Sequence, residues 1–202
     1  MTATAQQGRF TLVLPPGWSR IPLGTGSVAA VRAVVDRAVA GLDDRRAVDV
    51  RRRLHQLLSE QVQAARAQSG VELYLPTEQV HGISVPASVV VSLPPVGSDA
   101  DPMDLLLAVA ARRPGAQVVD VGGKPAVRTE ERQASAPLGE SFAETQAAAR
   151  QIVHFLADPD DRSRYAVVSA TVLESTAEGG AAVADAVTEL VDALVSTFRW
   201  VG

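Results

Sequence analysis

The sequence predicts an α+β fold, an antiparallel sheet of about five to seven strands with packed helices and an N-terminal helical hairpin elaboration. Three observations carry this. Two stretches of helical apolar spacing follow one another between residues 27 and 70. From residue 71 the apolar pattern shortens to alternation and brief runs, separated by hairpin-type turns. The final stretch, running into Trp200, returns to helical spacing.

Residues 1–8 read as a flexible tail and 9–202 as one domain. Phe10 to Leu14 is a short strand, halted by Pro15 and Pro16, which have no N–H to donate. After the break at Gly24–Ser27, Ser27 suits the N-cap of a first helix. Val28, Val31, Val35, Ala38, Val39 and Leu42 then form its apolar stripe. Asp43 and Asp44 favour the positive end of a second helix, over about Arg45 to Gln68. Its apolar face is Val50, Leu54, Leu57, Leu58, Gln61 and Ala65, and Ser69-Gly70 stops it. Together they make an antiparallel hairpin over 27–70, whose stripe covers the sheet or meets a partner.

Val71 to Leu75 and Ile83 to Leu93 read as strands, with Pro86 marking an edge or bulge. Asp101-Pro102 opens a helix with Leu105, Leu106, Val109 and Ala110 as its stripe, and Pro114-Gly115 ends it. Gly122-Gly123 supplies a two-residue turn between Gln117–Val121 and Lys124–Gln133. Residues 134–145 read as a loop. Gln151–Ala157 and Tyr165–Leu173 make a second hairpin about the turn-rich Asp158–Ser163. The last helix places Val183, Val187, Leu190, Val191, Leu194, Val195 and Phe198 on one face.

Of the 202 residues, 47% are apolar, enough for a sizeable core, and it is aliphatic, since only eight are aromatic. A net charge of −4 gives no global case for nucleic acid or anionic membrane. Lys124 is the only lysine among many arginines, which fits compositional bias. The absence of cysteine removes disulfides, thiolate metal sites and cysteine nucleophiles, and fits a cytoplasmic protein. The polar N-terminus shows no export signal, and no run approaches the roughly 20 apolar residues of a membrane span.

Two segments bracket the chain: Phe10-Thr-Leu-Val-Leu-Pro-Pro-Gly-Trp18, and a strand over Arg164–Val172 followed by the helix ending in Ser196-Thr-Phe-Arg-Trp200. This pairing resembles the PsbP/DcrB-like superfamily, which includes a Ran-binding import factor, photosystem II extrinsic subunits, bacterial lipoproteins and secretion-effector chaperones. The likeness covers roughly residues 9–23 and 71–200. It implies a non-enzymatic adapter, accessory subunit or chaperone, and brings no catalytic residue. The helical hairpin is larger than the family leads one to expect.

The remaining motifs have plain structural explanations. Gly24-Thr-Gly26-Ser-Val-Ala29 matches a dinucleotide fingerprint, but Pro22 spoils the buried strand it needs, so a loop-to-helix linker fits better. Gly122-Gly-Lys124 lacks the spacing of a phosphate loop. His55, His81 and His154 have no metal-ligand spacing, and Asp158, Asp160 and Asp161 read as a solvated turn. No cofactor or metal is expected.

The strongest charge feature is Arg45, Arg46, Arg51, Arg52 and Arg53. At about 100° per residue these wrap the helix, and Asp49 lies four residues from both Arg45 and Arg53. A solvated face, an acidic protein partner and nucleic acid are the three readings, the last unsupported by interleaved aromatics. Arg45, Arg46, Arg52, Arg53 and Trp18 are therefore the candidate partner-binding residues. The expected function is protein binding. The alternative is a small-ligand protein or enzyme with a pocket between sheet and helices, using Arg, Asp and His. Convergent polar groups in a deep pocket favour the alternative; an exposed docking face favours the first.

Overall fold

The computed structural model describes residues 4–7, 10–79, 82, 84–96, 101–137, 146–158, 160–175 and 177–201. Seven strands form one antiparallel sheet in the order β3 (Trp18–Pro22), β4 (Gly70–Pro76), β5 (Ala87–Ser92), β9 (Tyr165–Glu174), β8 (Gln146–Ala157), β7 (Lys124–Pro137) and β6 (Gln117–Val121). A smaller sheet places β2 (Phe10–Val13) between β1 (Thr4–Gln7) and β10 (Arg199–Trp200). The four helices are α1 (Ser27–Val39), α2 (Asp44–Ala67), α3 (Pro102–Arg112) and α4 (Gly180–Ser196). The expected α+β class and strand number are those observed.

Alternation along the strands divides the core into two layers. On one face Tyr74, Val89, Val91, Ile152, Val168, Ala170 and Val172 pack with Ala184, Val191 and Val195 of α4 and with Phe10 and Leu12 of the small sheet. The other face carries Ile21, Leu23 and Leu73 beneath Val31, Val35, Val62 and Ala65 of the α1–α2 hairpin. Farther along that face, Val127 and Ala157 lie beneath Leu106 of α3. The termini close on each other: Phe10 pairs with Trp200, and Phe198 stacks on Phe10 at 5.2 Å.

Several expectations need correction. Thr4–Gln7, placed in a flexible tail, pairs with β2 from Thr4↔Val13 to Gln7↔Phe10. Trp18–Pro22, too Pro-marked for a buried strand, is a sheet edge, where the missing N–H of Pro22 is tolerated. Gly26 in the left-handed region, not Ser27, caps α1. Ser27 is already helical and buried, so the buried line runs through 27, 31, 34, 35 and 39. Val28, one residue and about 100° off that line, is 76% exposed, and Ala38 and Leu42 are exposed with it. Pro86 lies outside β5, its carbonyl accepting from Leu173 N at 2.8 Å. β7 runs on into the expected 134–145 loop as far as Pro137, and β8 starts at Gln146, ahead of the expected Gln151. Ile83, His81 and residues 138–145 lie outside the described residues.

Candidate functional site

The α1–α2 hairpin is fastened to the sheet at its open end. Arg66 of α2 donates to Leu23 O, to Gly24 O at 3.0 Å and to Ser27 Oγ at 2.6 Å. The segment that matches a dinucleotide fingerprint is thus occupied by a guanidinium of the same chain, and it serves as a linker. A Cβ at Gly70 would stand 2.5 Å from Ala65 O, so glycine lets the C-terminal end of α2 press on β4. At the other end, Asp43 caps α2 by accepting from Arg46 N at 3.1 Å.

The outer surface of the hairpin is where the sequence placed its arginines. Arg46 is largely exposed, 3.7 Å from Asp43, and Arg52 reaches Asp49 at 3.1 Å. Asp49 therefore meets Arg52 at three residues' spacing, and not Arg53 at four. Arg53 is exposed and meets no carboxylate among the described residues. Arg45 belongs to α2, but its side chain lies outside the described residues. Asp36 bridges the helices, 3.2 Å from Arg51 and 3.7 Å from Arg32. Arg32, Val35, Asp36, Arg51 and His55 line an open cleft of about 440 Å³. Residues 27–67 hold eight arginines against five carboxylates, a net +3 in a chain of −4, leaving −7 elsewhere. Val48, 63% exposed, adds apolar surface to the same helix.

Trp18, the other candidate, is half-buried in the edge strand and packs against the main core. It does not join the arginines. Trp200 behaves likewise: its Nε1 donates to Ala157 O at 3.3 Å, and Arg164 lies over its ring at 5.3 Å.

The polar groups beneath α4 were not foreseen. Arg150, 3% exposed, donates to Glu174 at 2.9 Å and to Asp185 at 2.5 Å. Arg128 donates to both oxygens of Asp192, at 2.9 and 3.1 Å, and to Glu130 at 2.9 Å. His154, directly opposite Arg128 in the sheet, meets Asp192 through Nε2 at 3.2 Å. Asp185 and Asp192 stand seven residues apart, two helical turns, so one face of α4 presents both carboxylates to the sheet. Burial pulls the Asp192 carboxyl upward, but hydrogen bonds from His154 and Arg128, with their charges, outweigh it and hold the pKa below the ordinary range. For Arg150, the hydrogen bonds to Asp185 and then Glu174 raise the pKa against its burial.

Arg128, His154 and Asp192 also line a cleft of about 370 Å³ between β6 and α4, with Gln117, Asp120 and Ser196. Its charged groups are largely spent on one another. Ser196 donates to Ala193 O at 2.7 Å, so no base activates it, and the His154 ring is almost wholly buried. The cluster bolts α4 to the sheet. Among the described residues no group of three or more His, Cys, Asp or Glu side chains is placed to hold a metal. No described helix is long and apolar enough to cross a membrane.

No protein-family model matches the chain, and no curated protein is similar to it. Two solved structures are similar in their course. A point mutant of the protein Mog1 has a TM-score of 0.48 at 13% identity, covering 100% of this chain and 96% of its own. The 1.9 Å crystal structure of the Saccharomyces cerevisiae Ran-binding protein Mog1p has a TM-score of 0.46 at 13% identity, with the same coverage.

Proposed function

We propose that this chain is a non-enzymatic protein-binding module that presents the outer face of its α1–α2 hairpin to an acidic segment of a partner protein. The observation that carries this is the segregation of charge: a hairpin of net +3 on a chain of −4, with Arg46, Arg52 and Arg53 exposed. Exposed arginine with adjoining apolar surface is the composition that anchors protein interfaces. Surface pairs such as Arg46–Asp43 and Arg52–Asp49 are worth at most about 1 kcal/mol each, so a better-placed carboxylate displaces them at small cost. Arg45 belongs to the same proposal, and so do membership of the PsbP/DcrB-like superfamily, a cytoplasmic location and a role as adapter, accessory subunit or effector chaperone.

The test is fluorescence anisotropy with a labelled glutamate-rich amphipathic peptide, a lysine-rich control and a single-stranded oligonucleotide. Binding of the acidic peptide alone, weakened by salt, supports the reading. Equal binding of the control, preference for the oligonucleotide with a steep salt slope, or no peptide binding overturns it. The second reading, a small ligand in the β6–α4 cleft, draws on the buried Nδ1 of His154, which has no partner among the described residues. It is the weaker one, because the cleft's arginine and histidine are already engaged by Asp192.

A further inference from the structure

The two edges of the seven-stranded sheet are built differently. At one edge, β3 carries Pro22, and Arg20 points its charge inward to the buried Glu72 at 2.8 Å. Both are devices that keep an edge from pairing with another chain. At the other edge, β6 reads Gln117-Val-Val-Asp-Val121, with no proline, no lysine and no register shift against β7. Among the described residues nothing pairs with its outer side, and Val118 is 72% exposed.

The direction of its free backbone groups follows from the hairpin. Val121 and Lys124 flank a two-residue turn, so they form a hydrogen-bonded pair, and so do Val119↔Ala126 and Gln117↔Arg128 two and four residues on. The alternate pairs are not hydrogen-bonded across the hairpin, consistent with Pro125 standing opposite Asp120. Val118 and Asp120 therefore aim both N–H and C=O outward.

We propose that β6 is a self-pairing edge, through which two copies of this chain associate antiparallel about a two-fold axis at Val119. In that register Val118 faces Asp120 of the second copy, and each pair exchanges two hydrogen bonds, four in all. Val119 meets its own counterpart at a non-hydrogen-bonded site, where side chains approach most closely. Asp120, the only charge on the strand, faces a valine and not another aspartate. The pattern is self-complementary, as a two-fold contact requires. A five-residue edge buries little area, so the association is weak and concentration-dependent.

Sedimentation equilibrium over a wide concentration range tests this, with amide hydrogen exchange read at low and high concentration. The expected result is a monomer–dimer equilibrium in which the Val118 and Asp120 amides gain protection as dimer forms. Val118→Pro removes one outward N–H without touching the β7 pairing, and Val118→Lys adds a charge to the seam. Each weakens association by at least about tenfold, while Val183→Lys on α4 leaves it unchanged. If Val118→Pro alters the fold, Val118→Lys keeps the test intact. A wild-type chain that stays monomeric throughout, a dimer indifferent to both Val118 variants, or a dimer protecting other amides overturns the proposal.

Discussion

On one face of the sheet α4 buries seven of its seventeen residues and sets Asp185 against the buried Arg150 and Asp192 against the mostly buried Arg128. On the other, the described buried side chains of the 24-residue α2 are Ala47, Val62 and Ala65, while Arg46, Arg51, Arg52 and Arg53 stand in solvent. Both regions pair arginine with aspartate, yet the pairs differ in kind. Beneath α4 Arg150 is buried and Arg128 mostly so, and both are engaged by carboxylates, so removing one leaves carboxylates uncompensated. On the hairpin the same pairing is screened and replaceable. Burial, not residue type, separates the ion pairs that hold this fold from those free to meet a partner.

The sharpest way to break this contrast is at the seam where α4 runs into the closing strand. Phe198→Ala removes a fully buried ring that stacks on Phe10 and meets Trp200 edge-on, and should cost about 3–5 kcal/mol in urea unfolding. A loss below about 1 kcal/mol would mean the termini do not close the core as described. Next, Arg150→Ala should cost about 2–4 kcal/mol, toward the lower end because Asp185 is mostly exposed and can rehydrate. Arg52→Ala, which removes the same kind of pair on the hairpin, should stay within about 0.5 kcal/mol; equal losses at the two sites would erase the distinction.

Asp192→Asn sharpens the comparison through pH. Because the folded carboxyl is held below its ordinary pKa, its contribution is present above the unfolded value and is lost as pH falls through the lowered folded one. The variant should lose about 1–2 kcal/mol at neutral pH and show a shallower decline of stability on the acid side. An unchanged acid limb in denaturant titrations followed by circular dichroism would show that Asp192 is not held low. The smallest effect is expected for Arg53→Glu, which should leave stability within about 0.5 kcal/mol yet weaken acidic-peptide binding.

What the sequence shows plainly is local chemistry. Gly122 and Gly123 adopt the positive φ their turn needs, 67° and 80°, and Asp101 with Pro102 opens α3 as their types suggest. The hairpin and α4 follow from apolar spacing. What it hides is long-range. Arg128 meets Asp192 across 64 residues and Arg150 meets Asp185 across 35, and no local pattern joins them. Val28 and Leu42 read as core because spacing alone cannot say where a stripe ends. Nothing in Ser27 announces that its hydroxyl accepts from Arg66, 39 residues away. The arginines of α2 were legible as a cluster on a solvated face, but the carboxylates that Arg51 and Arg52 meet, Asp36 and Asp49, were not.

The most direct test of the contrast is two-dimensional ¹H–¹⁵N chemical-shift mapping with the glutamate-rich peptide. The account predicts shifts confined to Arg46–Arg53, His55 and the facing Arg32–Asp36 turn of α1, with the β7, β8 and α4 amides unmoved. Shifts centred on Arg128, His154 and Asp192, with the hairpin silent, would contradict it.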